Sequence, residues 1–181
     1  MKILIASDIH GSAHWCKNLL SQAQAHGVDQ IVLLGDLLYH GPRNPLPDGY
    51  APMQVAQMLS EIKDKLICVR GNCDSEVDQM VLPFPMLADY ALLSIDGQTF
   101  YLTHGHLHGE LNPPPVQSGT FFFNGHTHAP RKVTLENGAV YCNCGSVSLP
   151  KDGTPHSYVV YENGKLTWYD LETGNSFEPI F

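Results

Sequence analysis

Short apolar runs recur along this chain, and five of them stop abruptly at residues that bind metal ions. Ile3-Leu4-Ile5-Ala6 leads to Asp8-Ile9-His10, and Ile31-Val32-Leu33-Leu34 to Gly35-Asp36. Leu66-Ile67-Cys68-Val69 leads to Gly71-Asn72-Cys73-Asp74. Phe100-Tyr101-Leu102 leads to His104-Gly105-His106, and Phe121-Phe122-Phe123 to Gly125-His126-Thr127-His128. Runs of this length read as strands buried on both faces. Laid side by side, they would deliver Asp, Asn and His into one crevice at their carboxyl ends, where open α/β sheets bind ligands.

Between the first runs the spacing turns helical. Ser12 is placed to cap a helix over 13–26, with Trp15, Leu19, Leu20 and Ala23 as its apolar stripe and Gly27 as its stop. A second helix over about 51–63 starts at Pro52 and buries Val55, Met58, Leu59 and Ile62. The Gly- and Pro-rich segment 39–50 reads as a loop. After residue 88 the pattern alternates with period two. Asp96-Gly97, Asn137-Gly138 and Asn163-Gly164 each sit between two such stretches, a strong hairpin signal. Segment 107–119, with Pro113-Pro114-Pro115, reads as a surface loop. Both loops are expected to border the crevice, with the three prolines narrowing its entrance.

A chain of 181 residues with 43% hydrophobic and 15% charged positions suits one soluble globular domain. The formal charge of −8 disfavours a basic surface for long nucleic acid. Bound dications would still admit a nucleotide-sized anion. Five cysteines, an odd count, argue for free thiols in a reducing compartment rather than a disulfide framework. The N-terminal apolar run is too short for a signal segment, and no stretch approaches a membrane span. A cytoplasmic protein follows as the expectation.

The ligand-type residues form a set of carboxylates, an amide and imidazoles without an obligatory thiolate. It suits divalent Mn, Fe or Zn rather than a four-thiolate zinc site. Cys142 and Cys144 lack the second cysteine pair such a site needs. Taken singly, Asp8 and Asp36 read as caps or turn residues, Asn72 as a turn residue, and His126 and His128 as surface residues. Five coincidences in order outweigh those readings.

Asp-x-His, Gly-Asp, Gly-Asn-x-Asp, His-Gly-His and Gly-His-x-His, in that order and each after a strand, resemble the calcineurin-like metallophosphoesterase superfamily. The short chain and Gly-Asn-Cys-Asp look most like its small bacterial and archaeal phosphodiesterases of the YfcE type. The resemblance implies an α/β fold, a four-layer α/β/β/α sandwich of two mixed β-sheets flanked by helices. It implies two divalent metal ions, manganese first, with iron, zinc and nickel as alternatives. Asp8, His10, Asp36 and His128 would hold one ion. Asp36, Asn72, His104 and His126 would hold the other, with Asp36 bridging. The reaction implied is in-line attack on a small phosphodiester by a hydroxide bridging the two metals. Small members are commonly oligomeric, which implies a homodimer or homotetramer.

Asp36, Asn72, His104, His106 and Cys73 are the candidate catalytic residues, and Cys73 and His106 the candidate substrate contacts. Cys73 stands where many members carry the histidine that protonates the leaving group. A thiol is a weaker donor, so good leaving groups and diesters are favoured over monoesters. A phosphomonoesterase or nucleotidase is the alternative. So is a protein-binding scaffold of the retromer-subunit type, although such scaffolds have impaired metal sites. Asp74 reads as an orienting residue, and Gly145 and Ser146 as the cleft floor. His14, His26 and His156 read as surface residues. His40 is a weaker cleft candidate, and His108 weaker than His106.

Overall fold

The computed structural model describes residues 1–180. The first half builds a parallel core: β1 (Ile3–Ala6), α1 (Ala13–His26), β2 (Gln30–Leu33), α2 (Pro52–Glu61) and β3 (Leu66–Cys68). Ser12 Oγ accepts from Trp15 N at 3.2 Å, and Gly27 ends α1 at φ 62°. A short α3 (Glu76–Val81) follows. The sequence reading missed it because six residues are too few to show a helical stripe.

The second half is β4 (Ala91–Ile95), β5 (Gln98–Leu102), β6 (Phe121–Asn124), β7 (Arg131–Thr134), β8 (Val140–Asn143), β9 (Ser157–Glu162), β10 (Lys165–Asp170) and β11 (Ser176–Phe177). The strands form two mixed sheets, in the orders β11-β10-β9-β1-β2-β3 and β4-β5-β6-β8-β7. Alternating side chains explain their stacking. Leu4, Ala6, Ile31 and Leu33 face Trp15, Leu19, Val55 and Leu59 of the helices. Ile3, Ile5, Val32 and Leu34, with Trp168 of the same sheet, face Phe100, Leu102 and Phe123 of the other and so fill the space between the sheets.

Two mixed sheets flanked by helices are therefore observed, with two refinements. The five ligand-bearing strands do not lie side by side in one sheet: β1, β2 and β3 belong to one, β5 and β6 to the other. Their carboxyl ends meet across the interface instead. The three α-helices among the described residues all precede residue 82, and α1 and α2 pack on the first sheet. Segment 103–120, rich in Gly and Pro, cannot form a helix over the second. Strand β5 is consequently buried on one face only: Phe100 and Leu102 are buried, while Thr99 is exposed and Tyr101 half-buried. No helix among the described residues is long and apolar enough to cross a membrane.

Candidate metal centre

Each carboxylate of the cluster has one oxygen held by backbone and one left for the centre. Asp36 Oδ1 accepts from Cys73 N at 2.8 Å, and Asp8 Oδ2 accepts from His126 N at 3.0 Å. The glycines of the two turns explain this closeness. A Cβ on Gly71 would overlap the Asp36 carboxylate, and one on Gly125 would lie 2.5 Å from Asp8 Oδ2. Gly-Asn and Gly-His are thus one device used twice. Asp8 Oδ1 is buried and has no hydrogen-bond partner. Such an orphan costs folding free energy unless a cation faces it.

The imidazoles are locked by the same economy. His10 Nδ1 lies 2.8 Å from the Tyr39 carbonyl, His104 Nδ1 2.8 Å from that of Leu34, and His128 Nδ1 2.6 Å from that of Leu149. A carbonyl only accepts, so each Nδ1 carries hydrogen and each Nε2 presents a lone pair. His128 Nε2 lies 3.2 Å from Asp8 Oδ1 and 3.3 Å from His10 Nε2, and His10 Nε2 lies 3.4 Å from Asp8 Oδ1. His104 Nε2 lies 3.1 Å from Asn72 Oδ1 and 3.2 Å from His126 Nδ1. Asp36 Oδ2 sits between the groups, 3.7 Å from His10 Nε2 and 3.5 Å from His104 Nε2.

The separations of 3.1–3.4 Å fit metal ions, and the two from Asp36 Oδ2 are slightly longer. An ion with bonds of about 2.1 Å has ligand–ligand edges of about 3.0 Å at right angles and about 3.4 Å at the tetrahedral angle. Asp8, His10 and His128 form one potential metal-holding group; Asp8, Asp36 and His104 another. A third group combines His10 and Asp36 with Cys73. Electrostatics agree. Burial disfavours charge on His104, but the Asp8 and Asp36 carboxylates and the Leu34 carbonyl outweigh it and raise its pKa to about 9. His10 is raised too, against its burial, chiefly by Asp8. Burial would raise Asp8, yet His104, His10 and His128 hold it well below the usual carboxylate range. This is a pocket that attracts positive charge, and a dication supplies more of it than a proton.

The backbone is forced to serve this geometry. Asp8, His10, Asp36, His126 and His128 all have φ between 48° and 64°, a region that non-glycine residues seldom occupy. Supports hold them there. Ser146 Oγ and Ser148 Oγ both donate to the Asp8 carbonyl at 3.0 Å. The Asp74 carboxylate accepts from Asp36 N, Leu37 N and Gly71 N at 2.8, 2.9 and 2.7 Å. It thereby ties the Gly-Asp turn to the Gly-Asn turn. Burial, then the charge of Asp36, raise its pKa to about 6 despite those three bonds.

Cys73 and Asn72 line a cavity of about 440 Å³ beside the cluster, together with Asp36, His126 and His128. The Cys73 thiol is pushed far above its ordinary pKa by burial and by Asp36, so it stays protonated. His106 packs near the cluster, its ring 5.5 Å from that of His104 and 6.3 Å from that of His126, with a buried, unpartnered Nδ1. It does not line the cavity. Loop 39–50 borders the cavity through Gly41–Asn44, but no residue of 107–119 does. The proline gate is therefore corrected: Pro115 is exposed and lines a separate groove together with Tyr101 and Thr120. Ser146 lies buried beneath Asp8 rather than on the cavity floor.

His14 is exposed as expected, whereas His26 and His156 are half-buried. His156 stacks on Trp15 at 3.6 Å between ring centroids, a contact invisible to local sequence. His40 and His108 are absent from the cavity lining, and His108 belongs to none of the potential metal-holding groups. The reading missed Arg43, Asn44 and Lys151, which do line it. Only Arg43 and Asn44 had any signal, their place in the loop that follows the Gly35-Asp36 turn. All five cysteines are free.

Comparisons with known proteins converge on one family. The calcineurin-like phosphoesterase superfamily domain matches residues 1–165. Phosphodiesterase YfcE of Escherichia coli K12 is 47% identical over 168 residues, covering 92% of this chain and 90% of that protein. Probable metallophosphoesterase YsnB of Bacillus subtilis is 28% identical, covering 99% and 96%. A solved structure of the E. coli phosphoesterase superposes with a TM-score of 0.95 at 43% identity, covering 99% and 98% of the two chains. Vacuolar Protein Sorting 29 of Cryptosporidium parvum shares the fold, with a TM-score of 0.64 at 18% identity, covering 97% and 94%.

Proposed function

The chain belongs to the calcineurin-like phosphoesterase superfamily, and from that premise we propose that it is a metal-dependent phosphodiesterase acting on small diesters. The observation that carries the reading is the convergence of lone pairs from Asp8, His10, Asp36, Asn72, His104, His126 and His128 at metal-ligand edge lengths. Two bound dications would supply Lewis acidity toward phosphoryl oxygens and a nucleophile from water near neutral pH.

The chain's own residues supply the rest. Asp36 directs Oδ2 to both ligand groups because Cys73 N holds its other oxygen. Asn72 offers a neutral amide oxygen and adds no negative charge where an anion must bind. The protonated Cys73 thiol sits at the cavity wall but donates weakly, so the departing oxygen must leave with little help. That favours diesters with acidic leaving groups over monoesters. The full ligand set favours an enzyme over a binding scaffold.

Manganese is the metal proposed first, since the carboxylate and amide oxygens suit it, while the four imidazoles keep iron, zinc and nickel as alternatives. A cytoplasmic location agrees with five free cysteines. A homodimer or homotetramer would cover Tyr90 and Leu92, which are 54% and 60% exposed beside the edge of the second sheet. Turnover of bis-p-nitrophenyl phosphate, measured after chelation and after adding back Mn, Fe, Zn or Ni, tests the function. Failure with every metal would sink it.

A further inference from the structure

The cavity beside the cluster has two cationic side chains in its lining, Arg43 and Lys151. The lysine and arginine ion pairs among the described residues use Lys2, Arg70 and Arg131. Arg43 and Lys151 thus stand at the cavity with their charges uncommitted, in a chain whose formal charge is −8.

Both are anchored to the parts that carry the candidate ligands. Arg43 lies in a short loop closed by Asn44 Nδ2 donating to the His40 carbonyl at 2.9 Å. That loop rests on Cys73: a Cβ on Gly41 would sit 3.0 Å from Cys73 Sγ. Lys151 donates its backbone N–H to the His128 carbonyl at 3.2 Å, and its own carbonyl accepts from Thr154 Oγ1 at 2.7 Å. The backbone at both residues is therefore fixed relative to the candidate ligands, while their exposed side chains reach into solvent at the cavity.

The scissile group of a diester carries one negative charge. Two dications offset by Asp8 and Asp36 already exceed it. Two further cations at a cavity large enough for a nucleotide-sized ligand are matched to a second anionic group. We propose that Arg43 and Lys151 form an anion subsite that selects diesters bearing a second anionic group, such as a terminal phosphate, on the ester arm outside the scissile bond. The proposal rests on the phosphodiesterase reading and names its substrate class.

The test compares two chromogenic diesters with the same leaving group: thymidine 5′-(p-nitrophenyl phosphate) and its 3′-phosphorylated counterpart. The manganese-loaded protein should favour the phosphorylated ester about tenfold in kcat/KM, mainly through KM, and added salt should shrink that ratio. Arg43→Gln and Lys151→Met should each cut the ratio about threefold, and the double variant should bring it near one. Lys17→Gln, an exposed residue on α1, serves as a control that keeps the ratio. A wild-type ratio near one overturns the subsite. So do variants that lose both substrates in proportion, which would assign the residues to the reacting phosphoryl group or to folding. If neither ester is turned over, the phosphodiesterase reading fails separately. The subsite is then read by calorimetry with thymidine 3′,5′-bisphosphate against thymidine 5′-phosphate, and equal affinities overturn it.

Discussion

Asp74 is one side chain that holds two ligand-bearing turns in register, and removing it should expose what that costs. In Asp74→Ala three buried N–H groups, those of Asp36, Leu37 and Gly71, lose their acceptor. Each orphaned donor costs about 1–3 kcal/mol. Against this, the buried carboxylate is itself a burden. Its pKa of about 6 stands some two units above the ordinary value, worth on the order of 3 kcal/mol at neutral pH. Three such donors total about 3–9 kcal/mol, so the net loss at pH 7.5 should centre on about 3 kcal/mol. The pH dependence has a definite sign. A carboxyl raised on folding contributes stability that is full below its unfolded value and is lost as pH rises through about 6. The wild type therefore gains roughly 1 kcal/mol from this group between pH 7.5 and pH 5, and the alanine variant does not. Urea denaturation of both proteins in chelator at the two pH values measures this. A variant within 0.5 kcal/mol of wild type at both would refute the clamp, and a deficit that stays constant with pH would refute its charge.

Asp36→Ala should abolish diester turnover while leaving a cooperative thermal transition; activity within tenfold of wild type would remove Asp36 from the centre. Cys73→His should raise activity on monoesters and on diesters with poor leaving groups relative to bis-aryl phosphates, and an unchanged ratio across a leaving-group series would count against the thiol's role. His156 has its pKa lowered by burial, with its ring stacked on Trp15 and its Nδ1–H donated to the Val147 carbonyl. The unfolded chain then takes up its proton first, so stability should fall as pH drops below about 6.5. His156→Phe keeps the stack and should flatten that acid limb; parallel melting curves for the two proteins would contradict it.

The clustering of these side chains was legible in the sequence because each sits just after an apolar run, and chain order alone brings Asp8 and Asp36 to adjacent parallel strands. The pairing of β1 with β2 follows from the helix between them. That β5 and β6 belong to another sheet was not legible, because both sheets use the same apolar alternation. The proline segment misled for a related reason. Its stiffness is local, but where it lies is a tertiary matter: Pro115 lines a groove with Tyr101 and Thr120, away from the cavity beside the cluster. Arg43 and Lys151 were invisible, since an exposed cation in a loop has no pattern. The left-handed backbone of the ligands could be guessed only from the glycines at Gly35, Gly71 and Gly125, which leave room for it.

The placement of the candidate ligands on both sheets would give any bound ion a mechanical role. Asp8, His10, Asp36 and Asn72 belong to one sheet's loops, and His104, His126 and His128 to the other's. Any ion held between them is a cross-link spanning some 120 residues of chain from Asp8 to His128. A covalent bridge closing a loop of that length would remove roughly 5 kcal/mol of unfolded-chain entropy. Here the same constraint is reversible and independent of redox state, in a protein whose cysteines form no disulfide. Metal supply would then set how tightly the sandwich stays shut, and slow amide exchange at the facing strand ends would follow metal loading before any substrate is present.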